Sequence, residues 1–371
     1  MSRFTLHLGT VGGIPIYVHW SFWLLVLWVV LDSLFSPGFS LGFLVWRLLL
    51  LLGLVLSVIL HELGHALAAR AYGIPTRDIT MYPFGGVASL HRIPDKPLQE
   101  LVVAIAGPLV NFLLIGLFQV VLWILHEPIG FSPEAFRYSG PTWPALSFWL
   151  YNLSFMNAML AVFNLLPAFP MDGGRILRAL LATRLNYVRA TQIAALIGQG
   201  FAVLFIFLGF FYNPTLVLVG FFVYVAASQE RQQVERRTAL RGFTVMDALM
   251  RDMPTLSVHQ TLQDAIERLL QSQVRTFVVV EPTGKPVGIL SRERLIEALH
   301  EGRSRDTAVL EVMNPSLIRV PPSTPLHEAL QLLQEHDAPL LLVAEGERVL
   351  GYIDAENIAE FLLVRQALGA A

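Results

Sequence analysis

A polytopic α-helical membrane protein with a small membrane-associated β-sheet, followed by a soluble α+β domain pair, is the fold class this sequence predicts. Three observations predict it. The 371 residues are 54% hydrophobic with a mean hydropathy of +0.58, well above an ordinary soluble domain. Charge is unevenly spread: residues 1–228 hold 11 Lys+Arg and 8 Asp+Glu, whereas residues 229–371 hold 15 and 20. The second part also repeats itself at a spacing of roughly 63 residues, the mark of a duplicated unit. The expected organisation is a membrane domain over 1–228, a linker over 229–243, and two copies of one module over 244–303 and 304–371.

The elements follow in order. Phe4–Leu8 and Ile14–Val18 alternate like two short strands around Gly12-Gly13. Arg77–Tyr82 and Gly86–Leu90 make a similar pair around Pro83-Phe84-Gly85. Together they predict a small sheet at the membrane face, whose edge strand can accept an extended peptide. About six apolar segments are able to cross or enter a bilayer: Val18–Leu31, Leu41–Ala69, Leu98–Leu125, Pro144–Leu166, Ala190–Phe211 and Pro214–Ala227. The first and last are short. Gly107-Pro108 is expected to break the third, and Pro167 and Pro170 the fourth.

Loop charges set the orientation. Arg3, Arg70, Arg77, Arg92, Lys96, Arg175, Arg178, Arg184, Arg189 and the basic run after Gln229 fall on one side, and Arg137 on the other. The positive-inside rule makes both termini and the charged tail cytoplasmic. Arg47, near the outer end of the second span, is expected to snorkel. Met1-Ser2-Arg3 leads into a strand-like stretch, so no cleaved signal peptide is expected. The net charge of −2 gives no sign of nucleic-acid binding. With no cysteine, disulfides and thiolate metal sites are excluded, and any metal must rely on His, Asp or Glu.

The chemistry concentrates in the second span. His61, Glu62 and His65 stand in a membrane-length apolar run, a costly place for ionisable groups. On a helix, His61 and His65 are one turn apart, the spacing at which two imidazoles can share one zinc ion. Glu62 is rotated by about 100° from His61, close enough to serve such an ion without ligating it. Two histidines need a third protein ligand, and Ala66 to Tyr72 offer none. Asp32, Asp78, Asp95, Glu100, Glu127 and Glu134 sit in loops or at span ends, which leaves Asp172, just after Pro170-Met171 and just before Gly173-Gly174. Asp172 is either that ligand or the N-cap of a helix that follows.

Taken in order, His61-Glu62-Leu63-Gly64-His65 and Asn164…Pro167…Pro170-Met171-Asp172-Gly173-Gly174 resemble the site-2 protease family of intramembrane zinc metalloproteases. The family often has Leu where this chain has Met171. The resemblance covers roughly residues 1–228. It implies one zinc ion on His61, His65 and Asp172, Glu62 as catalytic base, and hydrolysis of a peptide bond within or beside a substrate's transmembrane helix. It further implies a multi-pass protein of a prokaryotic plasma membrane, with membrane-tethered transcription regulators among its substrates. Asn111 matches the family's Gly-Pro-x-x-Asn pattern, which implies contact with the substrate backbone or oxyanion; the alternative is an interhelical hydrogen bond. Gly85 and Gly86 resemble a glycine-containing loop near the active site, and either approach substrate or make the hairpin turn. His19 either faces the site or lies at the interface beside Trp20.

The tail resembles a tandem pair of cystathionine-beta-synthase-type (CBS) domains over about residues 244–365. Val245-Met246-Asp247 matches Val309-Leu310-Glu311, and Pro286-Val287-Gly288 matches Val349-Leu350-Gly351. Each copy reads helix, strand, strand, helix, and the two should pack together. Such pairs imply regulation, dimerisation, or an adenine nucleotide in the cleft between copies. The nucleotide pattern Ser/Thr-x-x-Asp is incomplete here: Ser291 is followed by Arg294 at the Asp position, and Asp354 by Asn357. Arg294 is the residue that would pair with a phosphate. A CBS-regulated ion channel or transporter is the competing function, with His61, His65 and Asp172 lining a cation path.

Overall fold

The computed structural model describes residues 5–36, 39–83, 85–90, 96–131, 146–272 and 274–368. Arg3, Arg92 and Arg137 of the charge pattern, the acids Asp95 and Glu134, and Phe84 of the second hairpin lie outside them. The chain divides into two compact units, Met1–Val234 and Glu235–Ala371.

The first unit opens with a hairpin, β1 (Thr5–Val11) and β2 (Ile14–His19), turned by Gly12 and Gly13 at φ +60° and +84°, left-handed values that favour glycine. Strands β3 (Thr76–Tyr82) and β4 (Gly85–Leu90) join it in one sheet of order β1-β2-β3-β4, with β2 and β3 parallel. Alternation decides which face is covered. Ile14, Ile16 and Val18 on β2, with Ile79 and Met81 on β3, pack against Ile59, Leu63 and Ala66 of helix α2. Those positions recur at helical spacing and bracket His61, Glu62 and His65, so the sheet lies against the turns that carry the motif.

Helices α1 (Phe22–Leu34), α2 (Leu41–Ala71), α3 (Pro97–Ile124), α4 (Leu146–Asn164), α5 (Asp172–Ala182), α6 (Tyr187–Phe211) and α7 (Pro214–Ala239), the last as far as Val234, complete the unit. Among the described residues, α2, α3, α4 and α6 are long and apolar enough to cross a membrane. The other two apolar segments fall short. The 13 residues of α1 rise only about 20 Å, against a hydrocarbon core of about 30 Å. Beyond Ala227, α7 becomes polar.

One local expectation is corrected. Helix α3 runs unbroken through Pro108; a proline removes only one helical hydrogen bond, and the packing of α2, α4 and α5 around α3 holds the helix in place. Arg47 Nη1 donates to Asp32 Oδ2 at 2.6 Å and to Ser33 Oγ at 3.1 Å on α1. Most of the polar stretch read as a linker is helical, as far as Ala239, consistent with the good helix propensity of its Gln, Glu and Arg residues. The break after α4 is where the prolines put it, and a Cβ on Gly173 would stand 2.2 Å from Leu166 O.

The second unit contains two copies of one arrangement. Strand β5 (Thr255–Ser257), helix α8 (Leu262–Gln271), strands β6 (Thr276–Val280) and β7 (Pro286–Ser291) and helix α9 (Arg292–His300) form the first. Strand β8 (Arg319–Val320), α10 (Leu326–Glu335), β9 (Leu341–Glu345), β10 (Arg348–Ile353) and α11 (Ala355–Ala367) form the second. Each copy thus adds a short leading strand, paired parallel, to the expected helix-strand-strand-helix. The copies do pack together. Val278 and Ile289 of one share a core with Leu340 and Leu342 of the other. Met250 bridges to Tyr352, and Asn314 to Ile289.

Candidate metal centre

Residues far apart in sequence meet on three buried side chains. Helix α2 presents His61 and His65 one turn apart, and Asp172 stands at the start of α5. Asp172 Oδ2 lies 3.1 Å from His61 Nε2 and 3.1 Å from His65 Nε2, and the two Nε2 atoms are 3.1 Å apart. Among the described residues this is the one His/Asp/Glu cluster with metal-binding spacing. The residue that precedes α5 as its N-cap is Met171, with no side-chain cap. Asp172 therefore directs its carboxylate to the histidines instead of capping. Of the other acids considered, Asp32 pairs with Arg47, Asp78 accepts from Thr80 and Ser89, and Glu100 pairs with Arg178.

The hydrogen bonds behind the histidines place a proton on Nδ1 of each ring. His65 Nδ1 is 2.7 Å from Val103 O, which can only accept, so Nδ1 is the N–H. His61 Nδ1 is 2.5 Å from Asn111 Oδ1. That amide orientation follows from a chain behind it. Ser57 Oγ donates to Gly53 O, Asn157 Nδ2 donates to Ser57 Oγ and Leu153 O, and Asn111 Nδ2 donates to Asn157 Oδ1. With hydrogen on Nδ1, Nε2 is the atom each ring turns towards the carboxylate oxygen, and in the neutral ring that atom carries a lone pair. Two imidazole nitrogens and one carboxylate oxygen gathered in this way are the ligand types of a cation site, and imidazole with carboxylate suits zinc. The space fits as well. A Cβ on Gly107 would stand 2.2 Å from His65 Nε2 and 2.7 Å from His61 Nε2, so glycine keeps the ground before both nitrogens clear.

Glu62 stands beside this cluster, half-buried. Its Oε2 accepts from the Ala88 N–H at 3.2 Å on β4, the outer strand of the sheet. Gly86 packs against the same side chain: a Cβ there would lie 2.7 Å from Glu62 Cγ. Gly85, at φ +142°, opens the strand. Asn111 is fully buried between His61 and Asn157, the interhelical bond of its two readings. His19 Nδ1 pairs with Ser21 Oγ at 2.7 Å, and its ring rests near Trp20 and Tyr82. Among the described contacts nothing joins His19 to the cluster. Two participants escaped the sequence reading. Asn157 had a signal, an amide inside an apolar helix, but the Ala88 backbone N–H had none.

Residues 49–207 match peptidase family M50, and residues 245–301 and 309–364 each match the CBS domain. A zinc metalloprotease of Methanocaldococcus jannaschii is 32% identical over 96% of this chain and 95% of its own length. The chain belongs to peptidase family M50. The peptidase is also similar to Rip3 of Mycobacterium tuberculosis, 31% identical over 97% of this chain and 93% of that one. A solved site-2 protease structure from Methanocaldococcus jannaschii is 36% identical and covers 62% of this chain and 95% of its own, with a TM-score of 0.45. The peptidase is a multi-pass membrane metalloprotease of the site-2 type with two CBS domains, and membership disfavours the channel or transporter reading.

Proposed function

We propose that His61, His65 and Asp172 hold one zinc ion, and that Glu62 acts there as general base in cleaving peptide bonds within or beside transmembrane segments. The observation that carries this is the convergence of two imidazole Nε2 atoms and one carboxylate oxygen at 3.1 Å. When bound, zinc supplies Lewis acidity at the scissile carbonyl and a water acidic enough to lose its proton near neutral pH. Glu62 would hold a proton taken from the attacking water and pass it to the leaving amide nitrogen. The Ala88 N–H engages Oε2 and so fixes the carboxylate, leaving Oε1 for the proton. Asn111 and Val103 hold the two rings in the tautomer that presents Nε2.

A helix must unwind before its peptide bonds reach such a site. Strand β4 offers an outer edge beside Glu62, and an extended substrate segment adding to it would lie across the base. Membrane-tethered transcription regulators are the proposed substrates. The termini and the CBS pair are assigned to the cytoplasm on the loop charges, and the prokaryotic plasma membrane is carried over from relatives in Methanocaldococcus and Mycobacterium. The pair is assigned a regulatory or dimerising role ahead of nucleotide sensing. Ser291 Oγ is spent on capping the Arg294 N–H, and the Arg294 guanidinium on Glu297, Glu301 and Val312 O. Asp354 and Asn357 cap each other's backbone N–H.

Metal analysis with a cleavage assay tests the assignment. His61→Ala, His65→Ala and Asp172→Ala are expected to lose stoichiometric zinc. Glu62→Gln is expected to keep it and cleave nothing; turnover by that variant would remove Glu62 from the base role.

A further inference from the structure

Arg178 is a buried guanidinium that the chemistry above leaves unused. It sits on α5, six residues beyond Asp172, and is 2% exposed. Its Nε and Nη2 donate to Glu100 Oε1 on α3 at 2.8 and 2.5 Å, and its Nη1 donates to Glu230 Oε1 on α7 at 2.5 Å. The guanidinium carbon lies 5.0 Å from the ring centres of both Phe169 and Tyr187. Phe169 belongs to the proline turn that leads into Asp172, and Tyr187 opens α6.

This placement bears on the metal ligands unequally. His61 and His65 ride on a 31-residue helix, whereas Asp172 starts an 11-residue helix after a broken backbone segment. A short helix slides or turns more easily, and a slip of one residue moves a side chain by about 1.5 Å along the axis. Charge-assisted hydrogen bonds in apolar surroundings resist such a slip, because moving would leave a buried cation without partners. The clamp takes its acceptors from two other helices, so it fixes α5 in both translation and rotation. We propose that Arg178 is a positioning residue: through Glu100 and Glu230 it holds Asp172 against His61 and His65, and so makes α7 a support of the metal centre. This rests on the reading that the three residues bind a metal.

Cobalt uptake by metal-free, full-length protein tests it, followed by the visible d–d bands and by chelator competition. Arg178 is too deeply packed for the test to rest on it, whereas the Glu230 side chain is 25% exposed and its replacement opens no closed cavity. Glu230→Ala is expected to weaken cobalt binding about tenfold, the effect of losing an outer support of a ligand, and to alter the bands. Glu230→Gln, which keeps an acceptor for Nη1, is expected to restore most of both. Glu230→Ala with wild-type bands and affinity overturns the proposal, even if that variant melts earlier. A wild-type protein that takes up no cobalt overturns the metal centre itself, and this proposal with it.

Discussion

Gly107 shows how one missing side chain defines the centre. Its Cβ would stand closer to His65 Nε2 than any non-bonded carbon can. Gly107→Ala is therefore expected to bring zinc content close to zero while the protein still folds; metal analysis beside a circular-dichroism spectrum checks both. At this scale the clustering of the candidate ligands was legible because chemistry restricts them: without cysteine, two histidines one turn apart need an acid to complete a metal site, and only Asp172 follows a broken span. Asn157 was less legible. Its role depends on the direction of a hydrogen-bond chain through Asn111, and direction is a property of three-dimensional neighbours. The Ala88 N–H exists in every non-proline residue, so no sequence could mark it.

Among the elements, the alternation of Ile14, Ile16 and Val18 announced a half-buried strand, and the prolines after α4 announced a break. The parallel pairing of β2 with β3 was not visible, because α1 and α2 separate the two strands in sequence. Pro108 misled, since packing around α3 outweighs one lost hydrogen bond. The caps of the tail carry a pH dependence. Asp264 accepts the N–H and hydroxyl of Thr261 at 2.8 and 3.1 Å, which holds its carboxyl below the usual aspartate range. Stability from this box is complete above the ordinary aspartate value of ~3.9 and is lost as pH falls through the lower folded one. Asp264→Asn is expected to flatten that acid loss. Amide exchange of α8 peptides in the full chain, compared at moderate and strongly acid pH, measures it.

Across the whole molecule, the uneven spread of charge along the chain separates membrane part from tail, and self-similarity reveals the duplication. The contacts between copies were beyond reach, because a repeat specifies its own alternation and not its partner's register. Leu342 belongs to the core both copies share and is fully buried. Leu342→Ala is expected to cost about 2–5 kcal/mol and to raise amide exchange in β6 and β7 of the other copy as well as in β9. Protection lost in the second copy alone would mean that the copies unfold independently.

The bridges Met250 to Tyr352 and Asn314 to Ile289 have a consequence for assembly. The segment leading into each copy pairs with a strand of its sister, so neither copy is closed within its own stretch of chain. A chain ending before Val309 would expose an orphaned strand and half of a shared core, and a second molecule could supply an equivalent surface. Dimerisation is the expected outcome: such a truncated protein should be dimeric by light scattering, each tail covering in its partner what the sister copy covers in the full chain.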